Sequence, residues 1–360
     1  YSHQENGVHY SGQVIDIPNE KEGPGGEHMR YAAILRVHTT DGNVQTVSND
    51  YGAKINITDA TEVVLVFNGE TDYNIEKLNF DHSIDPLEVA QQKITKVSQK
   101  DYSQIFRAHD QDHRSLFERV DIKIGKDEFR DLATDQRLAL IQNNDSKDSG
   151  LIGLYYQFGR YLLMGSSRSP GKLPANLQGI WNDLFKAPWN SDFHANINLQ
   201  MNYWLANTTQ LDTLNTPLFD FIDRLIINGE TTAHKNFGCR GTFIPHATDL
   251  WAGTWLRAPT AYWGCSVGAG GWLMQHYWNH YEYTRDGSFL KHRAYPAMHE
   301  VVQFYSDWLI EDPRDGTLIS APSTSPENRY LNKEGNKVAS CLGSAMDQQI
   351  IFEVIKNHLC

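Results

Sequence analysis

The chain has 360 residues, enough for two domains and a large buried core. Its 44 acidic against 32 basic side chains give a net charge of −12, which argues against nucleic acid or an anionic membrane as a partner. No run of about eighteen apolar residues is present to span a bilayer, and the widely spaced Cys239, Cys265, Cys341 and Cys360 form no CxxC pair, which argues against a zinc site or a disulfide scaffold.

The first residues, YSHQENGVHYSG, hold neither a basic n-region nor an apolar h-segment, and the start is expected to be a processed end or to lie within a domain. Residues 1–82 read as β structure. Tyr31–His38 and Glu62–Phe67 are short apolar runs, separated by the turn signals Pro24-Gly-Gly, Asp41-Gly-Asn and Asn68-Gly. Hairpins at this spacing predict an N-terminal β-sandwich, incomplete at its start. Residues 83–147 read as a helical linker. Asp85 is suited to cap a helix with Pro86 at its first position, and apolar residues recur at helical spacing to about Asp112. The segment Ala133–Leu138 opens another helix. Sequons begin at Asn56, Asn144 and Asn207, a pattern too common to decide a compartment.

From 148 to 360 the chain predicts helix after helix. LIGLYYQFGRYLLM (Leu151–Met164) is apolar nearly all round and is expected to be buried. Further helices are expected near 197–212, 217–236, 269–285, 289–311 and 344–358. Paired helices with polar loops between them predict an (α/α) toroid, a six-hairpin barrel, of which only part is present. The expected fold class is therefore multi-domain, α and β, with sandwich, linker and partial toroid in that order.

Two stretches carry the chemistry. Leu173–Trp204 packs six Asn, two Gln, one His, two Asp and three Trp into 32 residues. Amides and indoles at that density suit a pocket that hydrogen-bonds hydroxyls and stacks a ring face, although a polar loop flanked by core tryptophans has the same composition. Within it, Asn196-Ile-Asn198 places two amides on one face if the backbone is extended, or offers a helix cap. The second stretch is Ala321–Asn328 (APSTSPEN). Glu327 on such a loop, near aromatics, has the setting of a general acid with a raised pKa, or else is a solvated turn residue.

Taken together, NLQGIWN, PW, SDFHANINLQMNYW, GAGGWLMQHYWNHYEYTRDGSFLKHRAYP and PSTSPEN occur in an order that resembles glycoside hydrolase family 95. That is the family of inverting α-1,2-L-fucosidases and some α-L-galactosidases, and LFERVDI and TDQRL resemble the region before its catalytic domain. The resemblance implies that Glu327 protonates the glycosidic oxygen while Asn196 and Asn198 hold the attacking water. A neutral amide is a poor base, so an Asp must polarise the pair. The resemblance places that Asp in a later part of the catalytic domain, beyond Cys360, and Asp192, Asp249 and Asp347 match no motif for it. His194 in this motif goes with fucose, where a Thr goes with galactose. His246 lies in a segment, His246-Ala-Thr-Asp249-Leu-Trp251, that resembles the family but departs from it where another His usually stands. Trp263, Trp181 and Trp189 are candidates for stacking on the sugar, with His246 a further contact. No metal, phosphate loop or cofactor is implied. The expected partner is a fucosylated oligosaccharide or glycan, met outside the cell or in the periplasm. An α-L-galactosidase, or a sugar-binding or scaffold protein that lacks the base, are the alternatives.

Overall fold

A computed structural model describes residues 2–4, 6–16, 18, 25–49, 52–144, 147–184, 186–257, 260–264 and 266–360. Pro24, Cys265 and the side chains of Asn144 and Trp263, all singled out in the sequence, lie outside the described residues. The chain divides into two compact units, 1–114 and 115–360, and the division falls within the segment expected to be a linker.

In the first unit, β1 (Ser2–Gln4), β2 (Gly7–Asp16) and β3 (Gly26–His38) pair antiparallel in sequence order. A hairpin, β4 (Asn43–Asn49) with β5 (Gly52–Thr58), separates them from β6 (Val64–Thr71), which returns to the far side of β3. Gly42 makes the turn into the hairpin at φ +79°, where a Cβ would meet the Thr58 carbonyl oxygen at 2.6 Å. The short pair β7 (Tyr73–Asn74) and β8 (Asn79–Phe80) follows. Asp85 caps α1 (Pro86–Ser98), its carboxylate accepting from Leu87 N at 2.9 Å, with Pro86 at the first position as expected. Ile34, Ala90 and Ile94, backed by Val66 and Leu87, seal α1 onto the sheet. A sandwich needs a second facing sheet. Among the described residues of this unit the hairpin β4–β5 is the other long antiparallel pair, and a helix covers one face of the four-stranded sheet.

The expected linker helix is broken at residues 99–101 into α1 and α2 (Tyr102–Phe117). Next come α3 (Thr134–Asn144) and α4 (Ser149–Ser166). Asp148 caps α4 through Leu151 N at 2.9 Å and takes both arms of the buried Arg137, at 2.7 and 2.8 Å. After α4, β9 (Phe193–His194) leads into α5 (Asn198–Thr208). Helix α5 stops before the predicted 212 because Gln210 is left-handed, φ +56°. The run continues with α6 (Thr216–Thr232), β10 (Ala247–Thr248), α7 (Ala261–Gly264), α8 (Gly268–Thr284), α9 (Gly287–Phe289) and α10 (Tyr295–Trp308). Short antiparallel pairs follow: β11 (Ile310–Glu311) with β12 (Leu318–Ile319), β13 (Ser323–Thr324) with β16 (Ser340–Cys341), and β14 (Tyr330–Leu331) with β15 (Lys337–Val338). The chain ends in α11 (Ala345–Leu359).

Helix α8 is the hub, packing on α5, α10 and α11. Its Gly271 lets α11 approach closely: a Cβ there would lie 2.7 Å from Ile350 Cγ2 and 2.9 Å from Tyr305 Oη. Leu273, Met274 and Tyr277 are buried, as are Val301 and Phe304 of α10 and Ile351 and Val354 of α11, the helices it packs on. Helix α4 corrects one expectation. Only Arg160, Leu163 and Met164 are buried, while Tyr155 is 78% and Phe158 51% exposed. Its apolar surface runs all round, yet it packs against α5 and, at Arg160, against the end of α2, so one stripe is covered while residues such as Tyr155 and Phe158 face outward.

Candidate active site

The amide-rich stretch folds back on itself through its own hydrogen bonds. Tyr203 Oη takes Ala175 N–H at 2.8 Å and donates to Ser167 Oγ at 2.6 Å, Asn202 Nδ2 holds the Asn176 carbonyl at 2.9 Å, and Gln200 Nε2 holds that of Ala195 at 2.7 Å. Much of its polarity is therefore spent on fixing the chain. Trp189, Asn190 and Ser191 are consecutively left-handed (φ +48°, +59°, +47°), a backbone that costs each residue on the order of 1 kcal/mol. It brings Trp189 to the edge of a cavity of about 700 Å³.

That cavity is where the sequence candidates meet. His194, Asn196, Asn198 and Glu327 all line it, together with Gln178, Trp189, Trp272, Asn328 and Met346. The two Asn share it through a turn at 195–197 that runs into α5, and the extended backbone considered for this segment is absent. Neither amide caps the helix: Ile197 occupies the cap position, and no side chain bonds the first turn. Asn196 Oδ1 is buried and accepts no hydrogen bond from the described protein groups. A buried acceptor without a donor costs about 1–3 kcal/mol, which makes it a place for a ligand hydroxyl or a water.

His194 sits on β9, opposite Ala247 of β10, and Ala195 N–H bonds the His246 carbonyl at 2.7 Å. The two imidazoles meet edge to face at 6.4 Å. Asp192 Oδ1 lies 2.5 Å from His194 Nδ1, leaving Nε2 as the ring's remaining polar atom. Asp192 also faces Arg257 at 3.8 Å, and Arg257 pairs with Asp249 at 3.2 Å. Burial, then the charges of His194 and Arg257, pushes His246 down to about 4, with Asp192 opposing, so His246 is a neutral ring at pH 7 behind His194 and not part of the cavity wall.

Glu327 lies in a tight turn, with Asn328 N–H on the Ser325 carbonyl at 2.7 Å, and its carboxylate is exposed at the cavity. Tyr262 Oη donates to the Glu327 carbonyl at 2.8 Å, and the Arg329 guanidinium stands 4.2 Å over the Tyr262 ring.

Two tryptophan expectations resolve differently. Trp181 lies against Tyr161, tilted at 31° with ring centroids 5.8 Å apart, in a separate depression of about 260 Å³, because the Gly179 turn directs it towards α4. The side chain of Trp263 is outside the described residues. The indole that sequence reasoning missed is Trp272, on α8. Its motif, GAGGWLM, enters the sequence reading only as part of the family resemblance, and the glycine run before it was the available signal. Gln178, Asn328 and Met346 were also missed. Among the described residues no group of three His, Cys, Asp or Glu side chains is placed to hold a metal ion, and no helix is long and apolar enough to cross a membrane.

A cavity walled by amides, indoles and one carboxylate is the kind of site that protein surfaces build for sugars. Residues 101–360 match the glycosyl hydrolase family 95 catalytic domain, and the chain belongs to that family. It is 36% identical over 330 residues to "Alpha-L-fucosidase 2" of Arabidopsis thaliana, covering 91% of this chain and 39% of that protein. It is 30% identical over 307 residues to "Probable alpha-fucosidase A" of Aspergillus niger, covering 83% and 38%. The chain thus spans about two fifths of the length of these relatives. The solved structure named "Putative kojibiose phosphorylase from human microbiome" shares the fold with a TM-score of 0.56 at 10% identity, over 88% of this chain and 37% of that one.

Proposed function

We propose that this protein removes terminal α-1,2-linked L-fucose from glycans by hydrolysis with inversion. The observation that carries the reading is the meeting of Glu327 with Asn196, Asn198 and His194 at one cavity, with Asn196 Oδ1 buried and unmatched. Glu327 protonates the departing oxygen. The Asn196 and Asn198 amides hold a water on the other face of the sugar. An amide cannot take its proton, so the reading requires a carboxylate outside the described lining residues to polarise the pair and accept that proton. In inverting enzymes acid and base stand about 6.5–9.5 Å apart to admit the water. Asp192 fixes His194, whose Nε2 is free to bond a sugar hydroxyl, and Trp189 and Trp272 offer apolar faces. The names of the plant and fungal relatives support fucose, as does the His in the motif; α-L-galactose is the competing substrate, separated by a panel of the two glycosides. We read the N-terminal segment as part of a β-sandwich, residues 83–147 as a linker and 148–360 as part of an (α/α) toroid. A glycan substrate supports a site of action outside the cell or in the periplasm.

One observation favours a second reading. Glu327 is the sole carboxylate among the described lining residues, and two amides cannot take the water's proton. A chain that binds the sugar without cleaving it fits that inventory. Proton NMR of the protein with 2′-fucosyllactose separates the two. Early appearance of β-fucose supports the inverting hydrolase. Early α-fucose overturns inversion. Saturation transfer to the sugar without release of fucose supports binding alone.

A further inference from the structure

Beneath the loop that bears Glu327 lies a buried carboxyl that no catalytic step uses. Asp347, third residue of α11, is 0% exposed. The sequence Ser344-Ala-Met-Asp347 has capping-box spacing, and Ser344 Oγ accepts Asp347 N–H at 3.2 Å. In such a box the acid reaches back to the N–H of the cap residue. Here Ser323, from the start of the Glu327 loop, is inserted between them: its Oγ accepts Ser344 N–H at 3.0 Å and donates to Asp347 Oδ2 at 2.6 Å. Ser344 Oγ adds a bond to the Thr324 carbonyl at 3.2 Å. The loop is thereby plugged into the N-terminus of α11, whose Met346 itself lines the cavity. At the other end of the same short segment, Tyr262 Oη holds the Glu327 carbonyl.

We propose that Asp347 and Tyr262 are positioning residues for Glu327, gripping its loop from below through Ser323 and from the side through the main chain. This rests on the reading of Glu327 as the acid. The placement is costly in a way that fold stability does not require. Among the described residues Asp347 has no cationic partner, and its Oδ1 is buried without a hydrogen bond. An apolar residue would fill that space at less cost, whereas only an acceptor at this point can draw Ser323 into the cap. An acid on an unrestrained loop loses rate steeply, since a displacement of about 1 Å is enough for about 10²-fold.

The test compares two leaving groups in the native protein. The disaccharide 2′-fucosyllactose needs a proton on its departing oxygen, whereas α-L-fucosyl fluoride releases fluoride without one. Ser323→Ala and Tyr262→Phe each delete one hydroxyl, so the test survives if Asp347→Ala does not fold. Each is expected to lower kcat on the disaccharide about 10–10²-fold, with KM and fluoride release within about 3-fold. Asp347→Asn keeps an acceptor for Ser323 and should recover most of the activity that Asp347→Ala loses. Equal losses on both substrates, or no loss on either, overturn the proposal. Glu327→Gln is the control: if it spares the disaccharide, the acid reading fails and the positioning role with it. If it shows the selective loss and the hydroxyl deletions do not, only the positioning role fails.

Discussion

The two walls of the cavity are built on opposite plans. The amide wall belongs to the stretch Leu173–Trp204, which is held by its own side chains: Tyr203, Asn202 and Gln200 lock the backbone, Asp192 locks His194, and one acceptor, Asn196 Oδ1, is left over. The acid wall, Ser325 to Asn328, restrains itself only through one turn, in which the Asn328 main chain and amide both bond Ser325, and is otherwise held from α7 and α11. A receptor for a rigid sugar has to be fixed before binding. An acid has to be aimed at one atom, and its supports belong to neighbours that can be tuned without altering the receptor.

Removing the function of either wall should therefore fail differently. Glu327→Gln is expected to lower kcat on 2′-fucosyllactose by about 10²–10⁴-fold with sugar affinity nearly unchanged, measured by steady-state kinetics and by titration with fucose. Near-normal turnover would sink the acid assignment. Asn196→Ala should lower kcat by about 10²–10³-fold, as for loss of one preorganised polar group. Unlike most buried substitutions it should not lower the thermal midpoint, because the acceptor it removes has no protein partner. A fall of several degrees would show that the amide serves the fold.

The helices and the motif residues were legible in the sequence for different reasons. The helices announce themselves by period and caps: Asp85-Pro86, the apolar run of α4 and the start of α11 were all readable, and the errors are at ends such as Gln210, where a left-handed residue outside the periodic pattern stops the helix. Burial was less legible. The all-round apolar α4 reads as a core helix, and sequence does not tell which neighbours cover it. At the site, His194, Asn196, Asn198 and Glu327 were nameable because a motif ties residue type to role. Trp272 and the Ser323–Asp347 link were not, since their meaning lies in contacts between segments about 20 to 100 residues apart in sequence, and neither residue type is unusual where it stands. Asp347 was noticed only as a carboxylate that matched no base.

The support under the acid wall should be visible in stability as well. Burial pushes Asp347 up from 3.8 to about 6, so its folded form holds a proton more tightly than the unfolded chain. Its contribution is full below about pH 4 and is lost as pH rises through about 6. The loss is on the order of 2–3 kcal/mol. His246 and His276, pushed down to about 4 mainly by burial, run the other way: their contribution is present above 6.5 and lost as pH falls through 4. The informative quantity is therefore the difference between the native protein and Asp347→Asn in urea unfolding from pH 4 to pH 8. The native protein should lose stability relative to the variant as pH rises; a constant difference would mean that the carboxyl does not titrate in this range.

The smallest effects concern the indoles, and they test whether the receptor wall extends onto α8. Trp272 lines the cavity and Trp181 does not. A ring face on a sugar contributes about 0.5–1.5 kcal/mol if it behaves like an aromatic pair, so Trp272→Ala should raise KM about 2–12-fold with little change in kcat. Trp181→Ala should leave KM within about 2-fold, although it bares Tyr161 and lowers the thermal midpoint. The reverse ranking in KM would place the sugar against α4 instead. The cavity between the Asn pair and Glu327 would then hold only the reacting bond, and the specificity of the receptor would come from a surface that the amide stretch does not line.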